Sequence, residues 1–461
     1  MASSDSKVSP LGRYRYLHRN YRTYHAIKMW FTRRFTAAGL MVLLGILISA
    51  ALGLDTNASM AYQAFVLLSL LLLAAAFSCR FLRVPFDARR ALPRFGSAGQ
   101  PMPYRVTIRN RTARVQAGLA VFDDLGDPCP TLEEFASTPE PGEEKRNWFD
   151  RRQGFYRWSW LVEQNQRGTV KERSLAALPP KGEIEVNMEL LPVRRGVLRF
   201  ESVSLACPDP FGLFRSFVSV PLPDKVLILP RRYAVSSVAL PGTLKYQQGG
   251  VAMAAAVGES EEFVSLRDYR PGDPMRRIHW RSWAKTGMPI VKEFQDEFFV
   301  RHALILDTFS DVAYSDNFEE AVSVAASFAC SIQTQDSLLD LMFVGPQAYC
   351  FTAGRGLAHI EQMLEILASV KACRDNSFDT LSRLVLEHSQ NVSGCICIFL
   401  AWDKPRRDLV GQLKAMGLPL RVFVIVDKGS ELKLDPGPLA DEPMSFHQLE
   451  VGKIAEALAR L

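Results

Sequence analysis

A chain of 461 residues, 48% hydrophobic and 23% charged, is long enough for two or three domains and apolar enough for packed cores. Its formal charge of +6 is unevenly placed: residues 1–94 hold 13 Lys/Arg against 3 Asp/Glu, and the remainder holds 42 against 46. That distribution excludes a nucleic-acid binder with a basic body and points instead to a membrane boundary at the N-terminal end.

Residues 1–35 form a basic, aromatic stretch. Arg13, Arg15, Arg19, Arg22, Lys28, Arg33 and Arg34 interleave with Tyr14, Tyr16, Tyr21, Tyr24, Trp30 and Phe31, a mixture suited to a lipid headgroup layer. Two charge-free runs follow within residues 36–82, Thr36–Leu54 and Ala61–Cys79, of 19 residues each. At 1.5 Å per residue each spans about 28 Å as a helix, close to the hydrocarbon thickness of a bilayer. Arg80, Arg83, Arg89, Arg90 and Arg94 follow the second run, and the connector carries no Lys or Arg. The positive-inside rule predicts a membrane hairpin with both chain ends in the cytoplasm. A cleaved signal peptide fits less well, because the basic lead is long and a second apolar run follows.

From residue 100 to 232 the texture is β. "YRVTIRN" and "EIEVNMELL" alternate, "GVLRFESVSLAC" and "FRSFVSVPL" continue the pattern, and Gly/Pro turns separate them. The prediction is a small, immunoglobulin-like β-sandwich with a polar, Pro-rich loop over 127–153. In "CPDPFGLF" the expectation is a tight turn at Asp209-Pro210 and Gly212, with Phe211 and Phe214 plugging the end of the sandwich.

Residues 301–461 read differently. "HALILDT" is a short apolar run ending in Asp307, the pattern of a buried parallel strand. Residues 316–333 place Phe318, Val322, Ala325, Ala326 and Ala329 on one helical face. "SLLDLMFVG", "GCICIFLAW" and "PLRVFVIVD" are further strands, with "QAYCFTAG" as an antiparallel neighbour and helices at 357–371, 377–389, 405–416 and 449–461. Alternating strand and helix predict an open α/β sheet. The eight cysteines, at 79, 129, 207, 330, 350, 373, 395 and 397, show no CxxC. They read as reduced core thiols, and no zinc framework is visible.

Between these regions, residues 258–300 hold the densest cluster of functional side chains. "SLRDYRPGDPMRRIHWRSWAKTGMPIVKEF" is a strand, a turn, a helix and a second strand. Asp273 and Pro274 are suited to start that helix and Gly287 to end it. Residues 261–297 contain seven Lys/Arg and seven Asp/Glu, so the segment is neutral and cannot draw affinity from phosphate. His279 has no nucleophile or metal partner in the sequence pattern. The predicted arrangement is an ion-pair network with arginine planes on aromatic rings. Such a network either locks the two soluble domains together or presents a docking face.

The run from Ser265 to Glu297, with "RRGVLRF" and "DPFGLFR" upstream, resembles the signature of the domain-of-unknown-function 58 family, the MoxR-associated bacterial membrane proteins. The resemblance implies a β-sandwich followed by a von Willebrand factor A-like α/β domain, at the bacterial inner membrane. It also implies partnership with a MoxR-type AAA+ ATPase, and with a transglutaminase-like membrane protein, in assembly or maintenance of envelope proteins. Its signature residues here are Arg267, Asp268, Tyr269, Pro271, Gly272, Asp273, Arg276, Arg277, His279, Trp280, Lys285 and Glu293. Von Willebrand A domains hold Mg²⁺ through Asp-x-Ser-x-Ser, and this chain departs from that with Asp307-Thr308-Phe309-Ser310-Asp311.

The resulting expectation is a membrane α-helical hairpin followed by a β-sandwich and an open α/β sheet. The protein would be a multi-pass inner-membrane scaffold or adaptor facing the cytoplasm, with the bilayer and the ATPase as partners and no nucleic acid. No cofactor is expected apart from Mg²⁺ at a degenerate site of Asp307, Ser310, Asp311 and Asp403. The alternative is a metal-dependent enzyme using Asp307 and Asp403. The chain has no G-x-S-x-G, H-E-x-x-H or P-loop to support that alternative.

Overall fold

The computed structural model describes residues 10–52, 59–235, 262–273, 275–295, 301–310, 312, 314–332, 338–353, 357–374, 376–430 and 434–460. The chain divides into two compact units, Met1–Arg231 and Arg232–Leu461.

The first unit opens with three helices, Pro10–Arg34, Ala37–Leu52 and Ser59–Phe81. Within the described residues only Met60–Phe81 is long and apolar enough to cross a membrane. Ala37–Leu52 has 16 residues, about 24 Å of helix, and falls short of a bilayer core. This overturns the expected multi-pass topology and the placement of both chain ends that was inferred from it.

The start of the short helix shows why it begins where it does. Thr36 donates its backbone N–H to Leu213 O (3.1 Å) and its hydroxyl to Gly212 O (2.6 Å), while its Oγ1 accepts from Gly39 N (3.1 Å). Thr36 thus ties the helix to the "DPFGLF" turn. That turn forms as expected: Asp209 accepts from Phe211 N and Phe214 N, and Gly212 takes φ 70°. Its phenylalanines do not plug the sandwich. Phe211 is 51% exposed, and Phe214 packs tilted against Phe35, ring centroids 4.4 Å apart, in a cluster with Ala75 and Leu213, beside Val42 and Leu71. Gly39 lies so close to the turn that an added Cβ would sit 2.2 Å from Leu213 O. Gly39→Ala is therefore expected to destabilise this junction by about 1–3 kcal/mol, the usual cost of overpacking. A lower thermal midpoint in detergent, with faster amide exchange at 209–214, checks it; unchanged exchange there would refute it.

The strands of this unit are β1 (Phe86–Ala91), β2 (Phe95–Ser97), β3 (Met102–Asn110), β4 (Ala120–Leu125), β5 (Gly168–Val170), β6 (Arg173–Ser174), β7 (Glu183–Pro192), β8 (Gly196–Pro208) and β9 (Arg215–Leu229). They form two sheets, in the orders β1-β3-β7-β5 and β2-β9-β8-β4-β6. Alternation along β3 and β7 turns Tyr104, Val106 and Ile108, and Val186, Met188 and Leu190, into a core shared with Leu198, Phe200, Val203 and Ile228.

The stretch expected as a loop over 127–153 contains helices Leu132–Ser137 and Trp148–Gln153, followed by Phe155–Asn165. Thr131 and Glu134 make a reciprocal capping box at the start of the first. These helices also change the reading of the N-terminal helix. Tyr14, His18 and Tyr21, spaced i, i+4, i+7, pack against Phe135, Phe155 and Trp158. His18 Nε2 lies 3.0 Å from Pro130 O, and Tyr21 donates to Gln153 O at 2.9 Å. Part of the aromatic stripe expected in the lipid headgroups thus packs within the chain, against these helices.

In the second unit β10 (Glu262–Asp268) and β11 (Ile290–Gln295) pair antiparallel. The remaining strands are β12 (Arg301–Leu306), β13 (Leu338–Val344), β14 (Ala348–Ala353), β15 (Gly394–Phe399), β16 (Leu420–Val426) and β17 (Phe446–Glu450). They form one sheet ordered β14-β13-β12-β15-β16-β17, parallel except for β14. The open α/β sheet is as predicted, because the apolar runs of β12, β13, β15 and β16 are buried nearly throughout. Helix Asp316–Ile332 buries Phe318, Val322, Ala325, Ala326 and Ala329 as its periodicity required. The expected closing helix is shorter. Phe446–Glu450 pairs with β16 as an edge strand, and only Ile454–Ala459 is helical there.

Candidate functional site

Two places in the second unit carry the residues singled out by sequence. The first is the hairpin of β10 and β11. Ile278 forms a bridge with Val291, and both side chains are buried, which pins the connection to the strands. His279 N–H donates to Ile290 O and Tyr269 N–H to Pro289 O. Asp268 pairs in register with Ile290, and Glu293 with Ser265. The connection is not one helix from Asp273 to Lys285. It is a 3₁₀ turn, Met275–Arg277, and then a helix, Trp280–Thr286. Asp273 spends its carboxylate elsewhere: it accepts two bonds from the Arg267 guanidinium (2.7 and 2.8 Å) and one from Arg270 N (2.9 Å). The Arg267 guanidinium, and then that backbone donor, hold the Asp273 carboxyl down to about 2. Pro271 and Gly272, with Gly272 at φ 109°, make the turn that brings Asp273 back to Arg267. Pro274 and the side chains of Arg277 and Glu293 lie outside the described residues.

His279 precedes the short helix, with Nδ1 2.6 Å from Ser282 Oγ, and Gly287 ends it in the left-handed conformation. Trp280 stacks on Trp283 at 5.2 Å with 20° between planes. Leu266, Met275, Trp280 and Met288 are exposed on this hairpin, together with Arg276, Arg281 and Lys285. Exposed apolar and aromatic side chains carried on one hairpin together with cations are suited to contact rather than to chemistry.

The second place is the carboxyl edge of the parallel sheet, where open α/β folds bind ligands. Asp307 follows β12 and is fully buried. Its Oδ1 accepts from Phe309 N (3.0 Å), and its Oδ2 accepts from Leu400 N (3.0 Å) and Arg406 Nε (2.7 Å). Asp403, the N-cap of helix Lys404–Ala415, accepts from Arg406 Nη1 at 2.6 Å. The structure does bring Asp307 and Asp403 together, through the Arg406 guanidinium that bridges them. Its planar face lies 4.7 Å from the Phe378 ring centroid. A divalent ion between these carboxylates would have to displace a side chain already supplying positive charge, so the Mg²⁺ expectation loses its physical basis. Ser310 is turned into its own loop, its Oγ bonded to Val312 O at 3.2 Å, and Asp311 lies outside the described residues. Arg406 was missed from sequence. Its signal was "WDKPRR", an Asp N-cap after a strand with Arg three residues on, which aims that Arg back at the sheet edge.

Residues 265–409 match the family described as "Protein of unknown function DUF58". A DUF58 domain is therefore present, spanning from the signature hairpin through Asp307, Asp403 and Arg406. The chain is 29% identical over 209 residues to the "Uncharacterized protein YeaD" of Bacillus subtilis (strain 168), covering 45% of this chain. It spans about half the length of that curated relative, 50%. Among solved structures it aligns with the solution NMR structure of a CARDB domain from Pyrococcus furiosus (10% identity, 31% of this chain, 93% of that one, TM-score 0.16). It also aligns with a cohesin module from a family 33 glycoside hydrolase of Clostridium perfringens (8% identity, 32% of this chain, 98% of that one, TM-score 0.17). Alignments at those scores carry no argument about function.

Proposed function

We propose that this protein is a membrane-associated scaffold or adaptor without catalysis of its own, which offers the β10–β11 hairpin to a protein partner. The observation that carries this reading is the exposed set Leu266, Met275, Trp280 and Met288 on a segment whose Arg267 and Asp273 neutralise each other. Hydrophobic anchors rimmed by cations give a protein contact a desolvated centre and a polar edge. Helix Met60–Phe81 supplies the means of membrane association. The α/β unit is read as von Willebrand factor A-like, supported by a central β12 that ends in Asp307 between parallel neighbours. The partner proposed is an AAA+ ATPase of the MoxR type, with a transglutaminase-like membrane protein as a second, acting on envelope proteins. Resemblance of the 265–297 run supports both.

The test is affinity capture of the full-length chain from native membranes in mild detergent, with and without ATP. Nucleotide-dependent recovery of an AAA+ ATPase is expected. Trp280→Asp is expected to reduce it by roughly 30-fold or more, the loss of a hot-spot aromatic. Equal recovery by both chains would show that the hairpin is not the docking face. Absence of any reproducible protein partner would end the adaptor reading. The enzyme reading gains nothing from the geometry, because Asp307 and Asp403 both bind Arg406.

A further inference from the structure

We propose that His25, Asp127 and Cys129 form a binding site for a borderline-soft divalent cation of the zinc type, a site independent of the docking hairpin. His25 lies on helix Pro10–Arg34, and Asp127 and Cys129 lie in the loop after β4. Three unlike donor atoms, an imidazole nitrogen, a carboxylate oxygen and a thiol sulfur, fall within 4.8 Å of one another. The nitrogen and sulfur are already 3.5 Å apart. A zinc ion about 2.3 Å from sulfur and about 2.05 Å from nitrogen, at a tetrahedral angle, needs these atoms about 3.6 Å apart. Both donors thus stand at coordination spacing before any ion arrives, and only the exposed Asp127 carboxylate has to swing in.

The donor set selects the ion class. A thiolate and an imidazole favour zinc-type ions over Mg²⁺ or Ca²⁺, which prefer oxygen throughout. Arg22 Nη2 stands 3.6 Å from Asp127, but both ends are largely exposed, so that contact is weak and readily exchanged. The same three residues line a cavity of about 620 Å³ with Met29, Trp30 and Arg33. A three-ligand ion facing a cavity keeps its fourth position open to water or a small ligand, unlike a closed structural site. Occupation would also clamp the N-terminal helix to the loop leaving β4.

The experiment uses the full-length chain in mild detergent, stripped of metal by a chelator, with Co²⁺ as a spectroscopic probe and Zn²⁺ as competitor. Saturable binding of one Co²⁺ is expected, with a thiolate-to-cobalt charge-transfer band that Zn²⁺ abolishes. Cys129→Ser is expected to remove the band. His25→Ala is expected to weaken Zn²⁺ binding by at least the roughly 10- to 100-fold that loss of even an outer-shell partner costs. In the unaltered chain, Zn²⁺ is expected to protect Cys129 from alkylation, read by mass spectrometry, which needs no variant to fold. A band that persists in Cys129→Ser would overturn the site. So would alkylation of Cys129 at the same rate with and without Zn²⁺, which would leave the 3.5 Å contact as a thiol–imidazole hydrogen bond only.

Discussion

Replacing Arg406 with Met is expected to destabilise the α/β unit by about 3–5 kcal/mol, the cost of removing one partner from a buried ion pair. The Asp307 carboxylate is fully enclosed and, among the described residues, keeps Phe309 N and Leu400 N as its donors once the guanidinium is gone. Two neutral donors do not replace a cation in a low-dielectric setting. Met keeps an unbranched apolar side chain at the site but gives up the guanidinium's contact with the Phe378 ring, so the loss includes that contact as well as the ion pair. Hydrogen exchange resolved to β12 and β15 in rising urea separates this transition from that of the first unit. The double replacement Asp307→Asn with Arg406→Met is expected to recover most of the loss, because it removes the stranded charge along with its partner. A loss under about 1 kcal/mol for Arg406→Met would class the pair with exposed salt bridges and would refute the enclosed geometry.

The β-sandwich contains a second enclosed pair with a pH signature. Arg90 donates to Asp123 through Nε (2.9 Å) and Nη2 (2.5 Å), and Tyr104 OH donates to the same carboxylate at 2.7 Å. Both charged side chains are wholly shielded from solvent, and the guanidinium lies 4.4 Å over the Phe200 ring. Burial raises the Asp123 carboxyl above its ordinary range, and the Arg90 and Tyr104 bonds pull against that rise without cancelling it. Arg90→Met is expected to destabilise this unit by about 3–5 kcal/mol at neutral pH. It removes the largest opposing interaction, so the carboxyl rises further.

The sign of the pH dependence follows. A carboxyl raised in the folded state holds its proton more tightly there than in the unfolded chain. Its unfavourable contribution therefore grows as pH climbs from the unfolded value, about 3.9, through the raised folded value, and then levels off. The penalty of Arg90→Met should accordingly be smaller near pH 4 than at pH 7, as measured by urea unfolding of the two chains side by side. A penalty independent of pH would refute this role of Asp123 and assign the loss to the bonds that Arg90 also makes to Leu222 O and Asp224.

Much of this molecule was legible residue by residue. Strands β12, β13, β15 and β16 announce themselves as short apolar runs, because burial on both faces leaves no room for alternation. Helix Asp316–Ile332 and the Asp209–Phe214 turn were equally readable, since periodicity and turn chemistry act over a few neighbouring residues. The signature hairpin is recognisable from sequence as strand, turn and strand, but the helix it carries is shorter than its residue types predict. Asp273 has the residue type of a helix cap, and only the return of Arg267 beside it decided that the carboxylate would serve an ion pair instead.

Sequence by itself therefore determined the β-then-α/β order, the neutral signature and the apolar helices near the N-terminus. Tertiary structure alone decided which distant groups meet. It put Phe214 against Phe35 rather than in the sandwich, filled the gap between Asp307 and Asp403 with Arg406, and set His25 beside Cys129, 104 positions apart. The physical reason is range. Dihedral preference and hydrophobic periodicity are local, whereas the partner of a charge or a thiol depends on how sheets and helices close on one another, which no spacing rule encodes.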